Sequence, residues 1–353
     1  MYSIQIASPF TLENGEIIEN LTIGFHIYGT LNPKKDNVVW VCHALTANSD
    51  VVDWWDGLFG AEKLFDPEDC FIVCVNSLGS CYGTTGPASP PENRRPLLDK
   101  FPTITTRDMA RVHEELRLVL GIERIKLLIG ASLGGQQALE LSILSPEVVE
   151  NLALIATNAK HSAYGIAFNE SQRLAIFADA TYGNDNRGGG YAGLVAARSI
   201  AMLSYRSYDG YVTTQTNPGE HTTEEFLASA YQSYQGRKLA ERFDAYSYVC
   251  LSKAMDAHNV GRSRGSIANA LSLVKAKTLV VGITTDHLFP ISEQRFLATN
   301  IENAEFIEIE SKYGHDGFLI EADCLTTVLS DFLSNNLKKH KPTIFKVIDA
   351  KAS

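Results

Sequence analysis

The sequence predicts an α/β fold: a mostly parallel central sheet with helices on both faces and an inserted helical lid. Three observations carry that expectation. Short apolar runs rich in Val, Ile and Leu recur along the chain, and their continuous hydrophobicity marks strands buried on both faces. The spacers between runs are helix-like, as the crossover connections of parallel strands require. Between residues 160 and 276 the rhythm stops, and the chain becomes helix-like and rich in Tyr, Arg and Ser before the strand pattern resumes.

In chain order, residues 2 to 30 alternate apolar and polar side chains and are expected to lead antiparallel into the sheet. The runs NVVWVCHAL (37–45), CFIVCVNSLG (70–79), RIKLLIGAS (124–132) and VENLALIATNA (149–159) follow as inner strands. KTLVVGITTD (277–286) and AEFIEIES (304–311) resume the sheet after the insertion. Because the insertion separates two sheet strands, it is assigned as a lid: residues 1–159 and 277–353 make the core, and 160–276 the helical cap. The tail from about 339, KHKPTIFKVIDAKAS, carries no readable chemistry and is expected to be a packed or frayed end.

With 353 residues, 45% hydrophobic and 20% charged, the chain can bury one sizeable core plus the insertion. A net charge of −10 and a pI near 5.4 speak against nucleic acid or an anionic membrane as partner, since both require concentrated positive charge. The six cysteines form no CxxC pair and no regular framework, so they are expected to be reduced and, for Cys42 and Cys74, part of the core; no metal site is assigned. The opening MYSIQIASPFTLENG has neither a basic n-region nor a continuous apolar h-region. A soluble cytoplasmic enzyme is expected.

Residues 130 to 134 read Gly-Ala-Ser-Leu-Gly, a G-x-S-x-G placed between the strand RIKLLI and the helix LGGQQALELSIL. A serine on so sharp a strand-to-helix turn needs small neighbours, and Gly130, Gly134 and Gly135 supply the room. The turn also sets Ser132 at a helix N-terminus, where backbone N–H groups favour a developing negative charge. That context points to the α/β-hydrolase fold and to Ser132 as nucleophile.

A serine hydroxyl needs a neighbouring base, and the base needs an orienting group. Asp286 closes TLVVGITTD, and His315 follows FIEIES through KYG; the order Ser, Asp, His is the one this fold uses. His287 is the rival base, but it shares the strand end of the acid. The other histidines are expected to be surface, capping or packed residues. For the oxyanion the expected donors are the N–H groups of Leu133, after the nucleophile, and Leu45, in the loop HALT after NVVWVC.

Further blocks extend the pattern: HALTANSD (43–50), VNSLGSCYGTTGP (75–87), FPTITTRDM (101–109), GASLGGQQALE (130–140), ARSIAMLSYR (197–206), QGRKLAERFDAYSYVCLSKAMDAHNVGR (235–262), TTDHLFP (284–290) and GHDGFL (314–319). Together, over about residues 5 to 338, they resemble the homoserine O-acyltransferases, most closely the homoserine O-acetyltransferases of methionine biosynthesis. The resemblance implies ping-pong transfer from acetyl-CoA, as co-substrate, to L-homoserine through an acyl-Ser132, with no permanently bound cofactor. It implies Arg198, Tyr205 and Asp316 as the residues that hold the amino acid, and a homodimer joined through the lid.

The chemistry agrees, because a guanidinium binds a carboxylate bidentately while a carboxylate binds an ammonium. Asp316 is also placed to cap the helix GFLIEADCLTTVL. Ala131, Leu133 and Ala47 stand where the family pattern leads one to expect glycine, methionine and glycine, and Ala47 lies near the oxyanion loop. Succinyl transfer, serine as acceptor, and an esterase or thioesterase of the same fold therefore stay open. Basic candidates for the phosphates of CoA are Arg94, Arg95, Lys160, Arg173, Lys238, Arg262 and Arg264, none singled out.

Overall fold

The computed structural model describes residues 1–89, 95–219, 223–335 and 343–346. Its strands are β1 (Tyr2–Gln5), β2 (Phe10–Thr11), β3 (Ile17–Ile18), β4 (Thr22–Tyr28), β5 (Val38–Cys42), β6 (Phe71–Val75), β7 (Ile125–Ala131), β8 (Val149–Ile155), β9 (Lys277–Ile283), β10 (Ala304–Glu310) and β11 (Thr343–Lys346). Among the described residues nine of them form one sheet in the order β1-β4-β6-β5-β7-β8-β9-β10-β11. The β1–β4 and β4–β6 pairs are antiparallel, and the remaining pairs are parallel. β2 and β3 form a separate antiparallel pair, a hairpin inside the alternating opening region. The tail, expected only as a packed or frayed end, adds Thr343–Lys346 as an edge strand beside β10.

Each inner strand sends alternate side chains into two cores. Val38, Trp40 and Cys42 of β5 face one, with Val73, Leu128 and Leu154. Val39 and Val41 face the other, with Ile72, Ile129 and Ile155. Both faces are covered, which is why these strands carry no polar alternation. Each such side chain, fully buried, contributes roughly 1.5–3 kcal/mol.

Helices α1 (Val51–Trp54), α2 (Thr106–Val119) and α3 (Leu133–Leu144) belong to the first half of the core. Helix α2 opens with a capping box: the Thr105 side chain accepts from the Asp108 amide while the Asp108 carboxylate accepts from the Thr105 amide. Between β8 and β9 come α4 (Ala163–Phe177), α5 (Tyr191–Tyr205), α6 (Tyr208–Gln215), α7 (Leu227–Ala240), α8 (Ala245–Asp256) and α9 (Ile267–Leu271), all within the segment assigned as the lid. Then α10 (Ile291–Asn300), α11 (Gly317–Ile320) and α12 (Ala322–Leu333) complete the chain's helices among the described residues.

Half-buried ion pairs join the end of the inserted segment to the core. Arg262 pairs with Glu13 at 2.9 Å, Arg264 with Glu140 at 2.9 Å, and Arg107 bridges Glu13 and Glu140 at 2.7 and 3.2 Å. Arg173 pairs with Asp256 and Glu170, both at 2.6 Å. Three of the basic candidates for CoA are thus committed to carboxylates, whereas Arg95, Lys160 and Lys238 are exposed and Arg94 lies outside the described residues. All six cysteines are free, with Cys42 and Cys74 in the core. No helix of the described residues is long and apolar enough to cross a membrane.

Candidate active site

The ends of β5, β7, β9 and β10 deliver the site. Ser132 follows β7 directly and has φ 57° and ψ −127°, a left-handed backbone that costs a non-glycine residue about 1–3 kcal/mol. Its surroundings hold it there. The Ser132 amide donates to the Ile155 carbonyl at 3.0 Å, and the Thr157 hydroxyl donates to the Ser132 carbonyl at 2.8 Å. A Cβ on Gly130 would collide with the Gly134 carbonyl, and one on Gly134 with the Cys42 carbonyl, so the turn is pressed against the end of β5. These glycines are required by close approach.

The Ser132 hydroxyl lies 2.9 Å from His315 Nε2, and His315 Nδ1 lies 2.7 Å from Asp286 Oδ2. The other carboxylate oxygen of Asp286 accepts the Leu288 and Phe289 amides at 2.9 and 2.8 Å. All three side chains are buried. The carboxylate is thereby fixed in the plane that receives Nδ1–H, leaving Nε2 as the acceptor for the serine proton. His287 is exposed and makes no hydrogen bond to Ser132.

Aromatic rings surround the His315 imidazole. Phe289 stacks on it with centroids 5.1 Å apart, Phe318 meets it edge-on at 5.4 Å, and Tyr205 lies tilted at 5.6 Å. Burial disfavours the imidazolium, but the Asp286 charge and hydrogen bond outweigh it and raise the pKa above the usual 6.5. Burial instead pushes His43, His113 and His161 down to about 4 and His258 to about 3. Among these buried histidines His315 alone titrates upward. If Ser132 is the nucleophile and His315 its base, the rate of Ser132 acylation is expected to rise with pH through a value above 6.5, because the base must be neutral. In Asp286→Asn the same limb should move to lower pH, burial then being opposed only by the weaker effect of the Asp316 charge, while the plateau falls by about 10⁴-fold. Stopped-flow acylation between pH 5 and 9 measures both; a limb that stays in place speaks against Asp286 as the source of the shift.

The inserted helical segment meets the site at Gly314, whose φ of +66° and absent Cβ admit Arg206 and Ser207 against its backbone. The Ser207 hydroxyl donates to the Lys312 carbonyl, fastening the end of α5 to the histidine loop. Helix α5 carries Arg198 and Tyr205 two turns apart on one face, with the guanidinium carbon 5.0 Å from the centre of the Tyr205 ring. Arg198 Nε and Nη1 are sealed from solvent and have no hydrogen-bond partner among the described residues.

Asp316 lies next to the histidine but does not cap the helix that follows, since its side chain makes no cap bond. Arg206 pairs with the carboxylate instead, Nε to Oδ2 at 2.8 Å, an ion pair in which the Nε–H is not aimed at the oxygen. Burial raises the pKa of Asp316, and Arg206 and Arg198 oppose that rise. Arg206 was the residue missed from sequence; it ends the block ARSIAMLSYR one position beyond Tyr205. Neither the Leu45 nor the Leu133 amide has a hydrogen-bond partner among the described residues, and both residues are buried beside the nucleophile turn. Among the described residues no group of three or more His, Cys, Asp or Glu is arranged to hold a metal ion.

Comparison with known proteins gives the same picture at the level of the whole chain. The alpha/beta hydrolase fold family matches residues 37–322. A homoserine O-acetyltransferase of Cyclobacterium marinum is 47% identical over 328 residues, covering 92% of this chain and 93% of the relative. The crystal structure of homoserine O-acetyltransferase from Bacillus anthracis superposes with TM-score 0.86 at 25% identity, over 98% of each chain. Esterase E22 superposes with TM-score 0.83 at 22% identity, covering 94% of this chain and 99% of that one, a likeness of fold alone. Sequence identity of that order over nearly the whole length, together with the fold, makes the chain a member of the homoserine O-acetyltransferase family, O-acyltransferase enzymes on the α/β-hydrolase fold.

Proposed function

We propose that the protein transfers an acetyl group from acetyl-CoA to the hydroxyl of L-homoserine through an acetyl-Ser132 intermediate. In the first half-reaction the Ser132 oxygen adds to the thioester carbon as its proton passes to His315. The Leu45 and Leu133 amides receive the oxyanion, and the sulfur leaves carrying the proton from His315. In the second, His315 takes the homoserine hydroxyl proton while that oxygen attacks the acetyl carbon, and Ser132 recovers its proton as the ester departs. Asp286 steers the imidazole throughout.

The observation that carries the choice of acceptor is that two nitrogens of Arg198, Nε and Nη1, are buried without a hydrogen-bond partner among the described residues where the guanidinium rests on Tyr205. Guanidinium N–H groups desolvated without an acceptor are costly, and water as the acetyl acceptor has no use for them. An amino-acid carboxylate supplies two acceptor oxygens, one for either buried nitrogen and one for Nη2 beside it, and Asp316, charge-balanced by Arg206, faces the ammonium. Relatives named homoserine O-acetyltransferase support homoserine as the acceptor.

Two copies pair through the lid, where Leu174, Phe177, Leu203, Tyr208 and Tyr234 are exposed. Use of acetyl-CoA supports a cytoplasmic setting for the reaction. Thiol release by purified enzyme, with homoserine or serine against acetyl-CoA or succinyl-CoA, tests the proposal. Acetyl-CoA with homoserine is expected to give the highest kcat/KM; a higher value for serine or for succinyl-CoA reassigns acceptor or donor, and acetyl release to water as fast as transfer makes it a hydrolase.

A further inference from the structure

The oxyanion loop is held by a buried polar assembly that the triad does not use. His43, directly after β5, is fully buried. Its Nε2 lies 2.9 Å from the Ser77 backbone nitrogen, a group that only donates, so Nε2 is the acceptor and the proton sits on Nδ1. Nδ1 lies 2.8 Å from the Ala44 carbonyl oxygen, which only accepts. Two independent partners thus demand one tautomer. The Ala44 carbonyl and the Leu45 N–H belong to the same planar peptide and point in opposite directions. The Ala47 amide also donates to the Ala44 carbonyl, at 3.0 Å, so His43 and Ala47 together hold the one and aim the other.

A second layer fixes His43 in turn. The Gln137 amide nitrogen donates to the His43 carbonyl at 3.3 Å and to the Leu133 carbonyl at 3.4 Å. Its amide oxygen accepts from the Ser77 hydroxyl at 3.1 Å and from His113 Nε2 at 3.2 Å. His113 Nδ1 accepts the Trp40 indole N–H at 2.9 Å. One glutamine on α3 therefore ties the loop of Leu45 to the turn of Leu133, and every one of these side chains is buried.

We propose that His43 is a positioning residue for acyl transfer, whose Nδ1–H holds the Ala44–Leu45 peptide so that the Leu45 N–H meets the oxyanion formed at Ser132. The proposal rests on the acyl-serine reading given above. Burial keeps His43 neutral, its pKa pushed down to about 4, so the tautomer holds throughout the working range of the enzyme.

Two near-isosteres separate this role from mere packing. Asparagine puts an amide nitrogen where Nδ1 stands, whereas glutamine offers its polar end where Nε2 stands and leaves the Ala44 carbonyl with the Ala47 amide alone as donor, at 3.0 Å. The probes are p-nitrophenyl acetate, whose nitrophenolate burst reports acetylation of Ser132, and an alkyl trifluoromethyl ketone, which Ser132 converts to a hemiketal with its oxygen in the oxyanion position. His43→Gln should slow the burst by roughly thirtyfold and weaken the ketone by a similar factor; His43→Asn should stay within about fivefold. Equal losses in the two variants, a burst at the wild-type rate in His43→Gln, or unchanged ketone affinity alongside a slower burst would each overturn the proposal.

Should the variants fail to fold, ¹⁵N-histidine NMR of the wild-type protein decides. An Nδ1–H signal at His43 that shifts when the ketone binds is expected; an Nε2–H tautomer or an unmoved signal refutes it. Ser132→Ala separates the two readings: a burst that survives in Ser132→Ala, or is missing from wild type, removes the acyl-serine mechanism itself, whereas a Ser132-dependent burst leaves the His43 results to bear on this inference alone.

Discussion

Ser132→Ala is expected to lower thiol release from acetyl-CoA by roughly 10⁵- to 10⁶-fold, with or without homoserine. In the proposed mechanism both half-reactions pass through the same oxygen, so no choice of acceptor should rescue the variant. Direct attack by a homoserine hydroxyl on bound acetyl-CoA would use His315 but not Ser132, and would leave a substantial fraction of turnover. The fold should tolerate the change. Ser132 occupies its left-handed backbone through the bonds from its own N–H and to its carbonyl, which alanine keeps, and its hydroxyl's bond is to His315. A melting temperature near that of wild type, combined with lost turnover, therefore locates the defect in the chemistry. Turnover within tenfold of wild type would end the acyl-serine mechanism.

The inner sheet was legible because apolar runs such as VVWVC and FIVCV have only one stable home, between two layers of helices. The same property blurred strand ends. The run read as 37–45 becomes a strand only at Val38–Cys42, and residues 43 to 45 are the loop that presents Leu45. Alternation near the start announced antiparallel strands but could not separate the β2–β3 hairpin from the sheet, since both obey the same period. The pairing of TIFK with β10 escaped notice because four residues carry too little pattern.

At the site, Ser132, Asp286 and His315 stood out because each follows a strand end, a place fixed by topology. Arg206 did not, because its pairing with Asp316 exists only once the end of α5 crosses Gly314, a contact 110 residues away in the chain from which no local period follows. His43 looked like one more packed histidine until its two nitrogens were seen to face a pure donor and a pure acceptor.

Arg198→Ala is expected to raise the KM for homoserine and cut kcat/KM of the second half-reaction by roughly 10²- to 10³-fold, two charge-assisted hydrogen bonds being lost at about 1.5–3 kcal/mol each before overlap. Acetylation of Ser132, followed as the thiol burst without acceptor, should stay within about threefold of wild type. Arg198→Lys keeps the charge but not the fork and should fall between. Stability gives a second, independent reading. In the free protein Arg198 Nε and Nη1 are desolvated without a hydrogen-bond partner among the described residues, and the guanidinium rests on the Tyr205 ring. A side chain kept there for the fold's sake would cost stability when removed; one kept for a ligand should cost little or even release strain, raising the melting temperature of Arg198→Ala to the wild-type value or above. Homoserine should then stabilise wild type and not the variant, in proportion to its binding. Equal damage to both half-reactions, or a variant that melts well below wild type and still responds to homoserine, would assign Arg198 to the architecture of the lid and leave the amino-acid carboxylate without its anchor.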